Sequence, residues 1–288
     1  MYKRQALKAA SAASNKDGAA AKAQALSFGG PTPGARMEGF LVARERALAQ
    51  GTRLQQSGGV WAADRVFVHN QLQAGAVPEA VRPIMAAARL DRVGEMGMPF
   101  GGATAGTVCM VDRRCAAGIN LDGGDFPFQA FGRPMPVPFL MFHSDLGEIV
   151  KAVGVKAVAG PPHSFNEFSY EAFADAGGRS DVIRTQMRGA HHLGLSDFSL
   201  FMRRPARDPL LGSTPARVMI GAQNDFVLGF FDRYLRGRAN GFPQAQFAAY
   251  RGWVEPVPNT AVRDWWATLT PDQQAAITAR IERLRTRP

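Results

Sequence analysis

Apolar residues return at a helical period through residues 36–56. Phe40, Leu41, Ala43, Leu48 and Leu54 share one side, opposite Arg44, Glu45, Arg46 and Arg53. That period predicts an amphipathic helix, and residues 62–72 and 79–88 predict two more. No period-2 or β-branched run occurs before residue 90. The pattern then changes. Residues 92–97 read as a short strand, residues 101–111 as a helix of small residues, and residues 116–121 as a second strand that ends in Asp122-Gly123-Gly124. Residues 137–142 form a solid apolar run of the kind buried on both faces of a parallel sheet. Residues 166–176 read as helix and 182–187 as a fourth strand, followed by the polar loop Arg188-Gly189-Ala190-His191-His192. Phe230, Phe231, Tyr234 and Leu235 give residues 226–236 an apolar helical face, with Gly237 placed to cap it. Thr270-Pro271 starts a last helix in the order of N-cap, then proline. Strands alternating with helices predict an α/β fold, with a parallel sheet of about four strands and flanking helices. There is no internal repeat.

Composition sets the boundaries around that core. Residues 1–35 are rich in Ala, Ser, Gly and Lys and close on Gly29-Gly30-Pro31-Thr32-Pro33-Gly34, which predicts a disordered or unrelated leader. Residues 241–288 read as a C-terminal extension with a terminal helix. The start of the chain is basic, but no apolar stretch follows it, so no signal peptide is visible and localisation stays open. No apolar run reaches the length of a membrane-spanning helix. Cys109 and Cys115, the only two cysteines, exclude a disulfide framework and a Cys-rich zinc site. They are expected to be buried thiols, not a bridge. The net charge of +10 is spread over single and paired basic residues. With no nucleic-acid motif beside it, that charge predicts a solvated Arg-rich surface and no nucleic-acid partner.

Gly97-Met98-Pro99-Phe100-Gly101-Gly102 has the strand, tight turn and helix layout of a nucleophile elbow, G-x-S-x-G. Glycines flank such a nucleophile because strand and helix nearly collide there, and Ala103, Thr104 and Ala105 let the helix lie close to the sheet. Only the nucleophile is missing, because Pro99 stands in its place. An elbow nucleophile generally has positive φ, whereas proline holds φ near −65°. The turn should therefore relax and carry the Phe100 N–H with it. Without an oxygen or sulfur nucleophile no covalent acyl-enzyme forms at this position. Thr104 and Cys109 lie too far along the helix to substitute.

The run from Gly97 to Ala105, with Ala117-Gly118-Ile119-Asn120-Leu121-Asp122-Gly123-Gly124, closely resembles the platelet-activating-factor acetylhydrolase-like branch of the α/β-hydrolases. Arg188-Gly189-Ala190-His191-His192 with Asp197-Phe198, and the run from Phe230 to Gly237, extend the resemblance over roughly residues 36–240. It implies a partial α/β-hydrolase domain and hydrolysis of short-chain or phospholipid acyl esters by a Ser-Asp-His triad, with no cofactor and no metal. By resemblance Asp122 is the acid and His192 the general base, and Phe100 supplies one oxyanion N–H. Asp145, which also closes a strand, is the rival acid, and His191 the rival base. Asp122 also suits a turn cap, and His192 a partly buried structural histidine. His69, His143 and His163 fit no catalytic pattern. A metal site from His191, His192 and Asp197 has no supporting ligand spacing. Gly101 to Gly106 is not a phosphate loop, since no Gly-Lys-Ser/Thr follows.

The family fold has strands before the elbow, and this chain shows none in its first 90 residues. A fragment lacking the N-terminal part of the domain is therefore expected, with an open apolar sheet edge at residues 92–97. The other expectation is a hydrolase-like pseudoenzyme that binds an acyl ligand or a protein partner. It would keep a concave pocket beside His192, for which Phe126, Pro127, Phe128 and Phe131 are candidate lining and equally candidate core.

Overall fold

The computed structural model describes residues 18–50, 53–152, 163–203 and 208–285. Helices α1 (Gly18–Gly29), α2 (Pro33–Ala49), α3 (Arg53–Gln73) and α4 (Arg82–Ala87) precede the first strand. Then come β1 (Val93–Gly97), α5 (Phe100–Val111), β2 (Cys115–Leu121), β3 (Phe139–His143), α6 (Leu146–Ala152) and β4 (Val182–Met187). Short helices α7 (Phe198–Phe201) and α8 (Asp208–Leu211) lead into the long α9 (Ala216–Tyr234). The chain continues through α10 (Gln244–Ala249), β5 (Val254–Pro256), α11 (Thr260–Ala267) and α12 (Pro271–Leu284).

The fold is α/β, with a five-stranded sheet in the order β1-β2-β3-β4-β5. The first four strands are parallel, and β5 adds to β4 antiparallel. The four predicted strands are present, each within two residues of its expected bounds. Alternation within β3 sends Leu140 and Phe142 to one face, against Phe226 and Phe230 of α9, and Phe139 and Met141 to the other, with Tyr170 and Cys109. A third core joins Met37 and Leu41 of α2 to Phe128, Phe131 and Phe168 and to Val262, Ile281 and Leu284 of the C-terminal helices.

Several expectations change. Residues 18–29 of the expected leader are helical, and Ala23 and Ser27 are buried. Small residues make this possible: a Cβ on Gly39 of α2 would lie 2.4 Å from the Ser27 nitrogen, so the two helices touch backbone to backbone. Residues 1–17, with the basic start of the chain, lie outside the described residues. Residues 166–176 are not a helix but an irregular buried segment with a 3-10 turn at Phe173–Asp175. Residues 166–171 are all buried, so there is no amphipathic face, and Tyr170 has φ +73°. The expected extension 241–288 supplies β5 and, through Val262, Ile281 and Leu284, part of the third core. Cys109 and Cys115 are buried as expected but are joined in a disulfide: the end of α5 and the start of β2 bring their Cα atoms to 5.0 Å, within bridging range.

β1 is a sheet edge, and Met96 is exposed there as expected of an open edge. Helix α3 nevertheless covers part of it. Arg65 Nη1 donates to Glu95 Oε2 at 2.8 Å, His69 Nε2 stands 2.9 Å from Glu95 Oε1, and His69 Nδ1 stands 3.2 Å from Asp112 Oδ2. His69 is thus a clasp between helix and edge strand.

The predicted cap of the last helix is present. Thr270 Oγ1 accepts from the Gln273 N–H, and the Gln273 side chain accepts from the Thr270 N–H, a reciprocal capping box. Thr270→Ala should lower the urea midpoint by an amount equivalent to about 1 kcal/mol.

Candidate active site

Position 99 follows the C-terminal end of β1, and the register Gly97↔Asn120 places it beside the end of β2, where Asp122 follows. Pro99 has φ −72° and ψ −43°, the helical values that its ring permits, and it caps α5, which begins at Phe100. The first helical hydrogen bond runs from the Ala103 N–H to the Pro99 carbonyl at 3.1 Å. The Phe100 N–H therefore belongs to the unpaired first turn of the helix. The crowding of an elbow is preserved: a Cβ on Gly97 would lie 2.4 Å from the carbonyl carbon of Gly101, and one on Gly102 would lie 2.2 Å from Asn120 Oδ1. The Phe100 ring meets Trp61 edge-on and stacks on Phe126.

Asp122 stands in a turn built by Asn120. The Asn120 amide accepts from the Gly123 N–H at 2.8 Å and donates to the Gly123 carbonyl at 2.7 Å, leaving Asp122 at φ +57°. Gly123 is obligatory, since a Cβ there would sit 1.9 Å from the Pro99 carbonyl oxygen. The Asp122 carboxylate is buried and accepts from the Ser144 N–H at 2.9 Å and the Ser144 hydroxyl at 2.7 Å. Its Oδ2 is also 2.6 Å from His192 Nδ1, and the His192 side chain is 42% exposed. The far edge of the imidazole is therefore open to solvent.

Electrostatics follow from this geometry. Burial pushes the Asp122 carboxyl up, but the neighbouring imidazoles of His143 and His192 outweigh burial and hold it well below the usual carboxylate range. The hydrogen bond to Asp122 raises His192 above the ordinary imidazole value of 6.5, against the opposing effect of its partial burial. The stabilisation from the raised imidazole is complete below 6.5 and is lost as pH rises through the His192 value. That from the depressed carboxylate is present above the ordinary Asp value and is lost only as pH falls below it. An NMR titration of the His192 ring should therefore give a midpoint above 6.5, and Asp122→Asn should bring it down.

The rivals lie elsewhere. Asp145 Oδ1 accepts from the Gly147 and Glu148 N–H groups that open α6, and its Oδ2 accepts from the Gly189 N–H at 2.7 Å, so it serves the backbone. His191 Nε2 lies 3.6 Å from Glu148 Oε2 and not against Asp122. Among the described residues, no group of three or more His, Cys, Asp or Glu side chains is arranged to hold a metal ion.

Asp122, Gly124, His191 and His192 face a cavity of about 1020 Å³. Its walls are aromatic: Phe28 and Phe40 come from the N-terminal helices, and Phe126, Phe128, Phe131 and Phe165 from the loops beyond the sheet. The segment expected as either pocket lining or core is both, since Phe128 and Phe131 stack at 4.3 Å within the third core and also border the cavity. Pro99 and Phe100 are not among the cavity walls.

No family model matches the chain, and no curated relative does. Among solved structures it is similar to the ferulic acid esterase from Streptomyces cinnamoneus, at 21% identity and a TM-score of 0.47, over 71% of this chain and 56% of that one. The chain thus spans little more than half the length of that esterase.

Three site neighbours have no sequence signal. His143 is fully buried at the end of β3, with Nδ1 3.7 Å from Asp122 Oδ1 and Nε2 2.7 Å from the Ser164 hydroxyl. Asn166 donates to the Gly123 carbonyl at 2.8 Å, and Ser144 holds both carboxylate oxygens. The parallel register brings His143 and Ser144, at the end of β3, beside Asp122 after β2, and the irregular segment before β4 brings Asn166.

Proposed function

We propose that this chain is an ester-hydrolase-type α/β protein of the acetylhydrolase-like branch, with its acid and base retained and its nucleophile replaced by Pro99. In this reading an acyl group or acyl ester, free or carried on a phospholipid, lies in the aromatic cavity beside His192, and hydrolysis is absent or very weak. The observation that carries the reading is the buried Asp122 carboxylate 2.6 Å from Nδ1 of a half-exposed His192 that faces the cavity. A buried acid that orients an imidazole and favours its charged form is the arrangement that a general base requires. With serine at position 99, His192 Nε2 would take the hydroxyl proton during attack on the ester carbonyl and return it to the leaving alcohol. In this chain position 99 has no proton to give and no oxygen to attack with.

The cavity favours a second reading, that of an acyl-binding protein without catalysis. An apolar pocket with a few convergent polar groups is the ordinary form of a small-molecule site. Both readings give the same expectation in one assay, which tests the role of Pro99. Hydrolysis of p-nitrophenyl acetate by the unmodified chain should lie within about tenfold of an equal concentration of free imidazole. A rate several orders of magnitude higher, lost in His192→Ala, would show that another group serves as nucleophile and would overturn the role given to Pro99.

A further inference from the structure

His143 has one ring nitrogen left over. It is fully buried at the end of β3, yet its Nδ1 has no hydrogen-bond partner. A buried polar group in that state is costly, so where it points matters. Nδ1 stands 3.7 Å from Asp122 Oδ1, too far for a hydrogen bond and close enough for an electrostatic contact. The other nitrogen fixes the ring. Ser164 Oγ accepts from the Asn166 N–H at 3.0 Å and lies 2.7 Å from His143 Nε2, so its own proton is free to be given to Nε2. The ring proton then sits on Nδ1, facing the carboxylate. Phe165 meets the imidazole edge-on at 4.7 Å. Ser164, His143 and Asp122 repeat the order of a catalytic triad, but Ser164 is fully buried and does not border the cavity, so no ester meets it there.

The Asp122 carboxylate therefore stands between two imidazoles. Oδ1 accepts from the Ser144 N–H and faces His143, whereas Oδ2 accepts from the Ser144 hydroxyl and meets His192 Nδ1. Among the described residues, these two rings are the ionisable groups that act on it. The other carboxylates of the cavity are engaged elsewhere, Glu148 against His191 and Asp125 with Ser169 and the Gln129 and Ala130 N–H groups. In the sheet, β4 places the neutral Gln186 beside His143. We propose that His143 is a positioning residue, which shares the Asp122 carboxylate with His192 and limits how tightly that carboxylate holds the His192 proton. Each donor or positive charge set against a carboxylate lowers what the carboxylate offers to the next. A carboxylate reserved for His192 would keep that imidazole charged, and a charged imidazole accepts no proton. The proposal rests on the reading of Asp122 and His192 as acid and base, and it needs no nucleophile at position 99.

The test is an NMR titration of the His192 ring in the full chain, with position 99 unchanged. Asp122→Asn is the control, and its lower midpoint reports that the pair exists. His143→Phe keeps a ring against Phe165 and removes both nitrogens, and His192 should then hold its proton about threefold more tightly. His143→Asn restores one N–H where Nδ1 stood and should return the midpoint to that of the parent. Packing alone predicts no such split between the two variants. Equal midpoints in the parent and His143→Phe, or an equal rise in both variants, would overturn the proposal and leave the pair intact. Should His143→Phe not fold, Ser164→Ala carries the test. It keeps the imidazole, removes the group that fixes its proton, and should raise the midpoint by less, whereas an unmoved midpoint would overturn the proposal. A midpoint that Asp122→Asn leaves unchanged would instead overturn the pairing of acid and base.

Discussion

Pro99→Ser is expected to raise p-nitrophenyl acetate hydrolysis by about 10²-fold or more over the unmodified chain, and His192→Ala in that background should remove the gain. The expectation rests on what the turn keeps. Gly97, Gly102 and Gly123 are still glycines at contacts where a Cβ would meet its neighbours at 1.9–2.4 Å, so the space in which a strained nucleophile would stand is intact. Proline holds the position at φ −72°, and serine would be free to take the positive φ of an elbow. The Phe100 N–H, already unpaired at the start of α5, would stay close to the developing oxyanion.

The pH profile of that variant discriminates further. His192 accepts a proton only when neutral, and Asp122 holds its proton on. The acid limb of kcat/KM should therefore fall above pH 6.5 and move down in Pro99→Ser/Asp122→Asn, together with a loss of rate. A Pro99→Ser protein that melts like the parent yet stays at background would separate the Asp–His pair from position 99. Since Pro99 does not border the cavity, that outcome would assign the pair to structure and leave the acyl-binding reading in place.

β3 was legible because it is a solid apolar run buried on both faces, and β1, β2 and β4 because short extended stretches alternate with helical patterns along the chain. β5 was not legible: it has three residues, one of them Pro256, and is a strand only because β4 offers it an edge. Helix α1 was hidden by composition. Its Ala and Gly content looks like a solvated tail until Gly39 is seen to admit its backbone. At the candidate site, resemblance named Asp122 and His192 together, with Asp145 and His191 as rivals, and the structure sets Asp122 against His192. His143, Ser144, Ser164 and Asn166 were not legible, since each acts through a bond to a residue at least 21 positions away. Residues 166–176 failed for the same reason: their polar side chains look solvent-facing in sequence and are claimed by buried partners in the fold.

The clearest of those partners predicts the largest loss of stability. Arg36 Nε donates to Glu167 Oε1 at 2.5 Å, Nη2 to Oε2 at 2.8 Å, and Nη1 to the Gly30 carbonyl at 2.9 Å. Both side chains are almost fully buried, so this forked pair ties α1 and α2 to the segment that carries Phe165 and Asn166 to the cavity wall. Burial already raises the Glu167 carboxyl above its ordinary value, and Arg36 only partly offsets it. Arg36→Met would leave that carboxylate alone in the interior, and the expected loss is about 3–5 kcal/mol in urea unfolding. Glu167→Met should cost a similar amount, whereas the double substitution should recover most of it, because two apolar side chains then replace two charges. The sign with pH is fixed as well. With Arg36 gone, the folded state holds the Glu167 proton more tightly than the unfolded chain does, so Arg36→Met should regain stability as pH falls towards 4.5. A loss below about 1 kcal/mol in Arg36→Met, with no such recovery in acid, would mean that the N-terminal helices are not held by this pair. The aromatic wall that Phe28 and Phe40 give the cavity would then need another anchor.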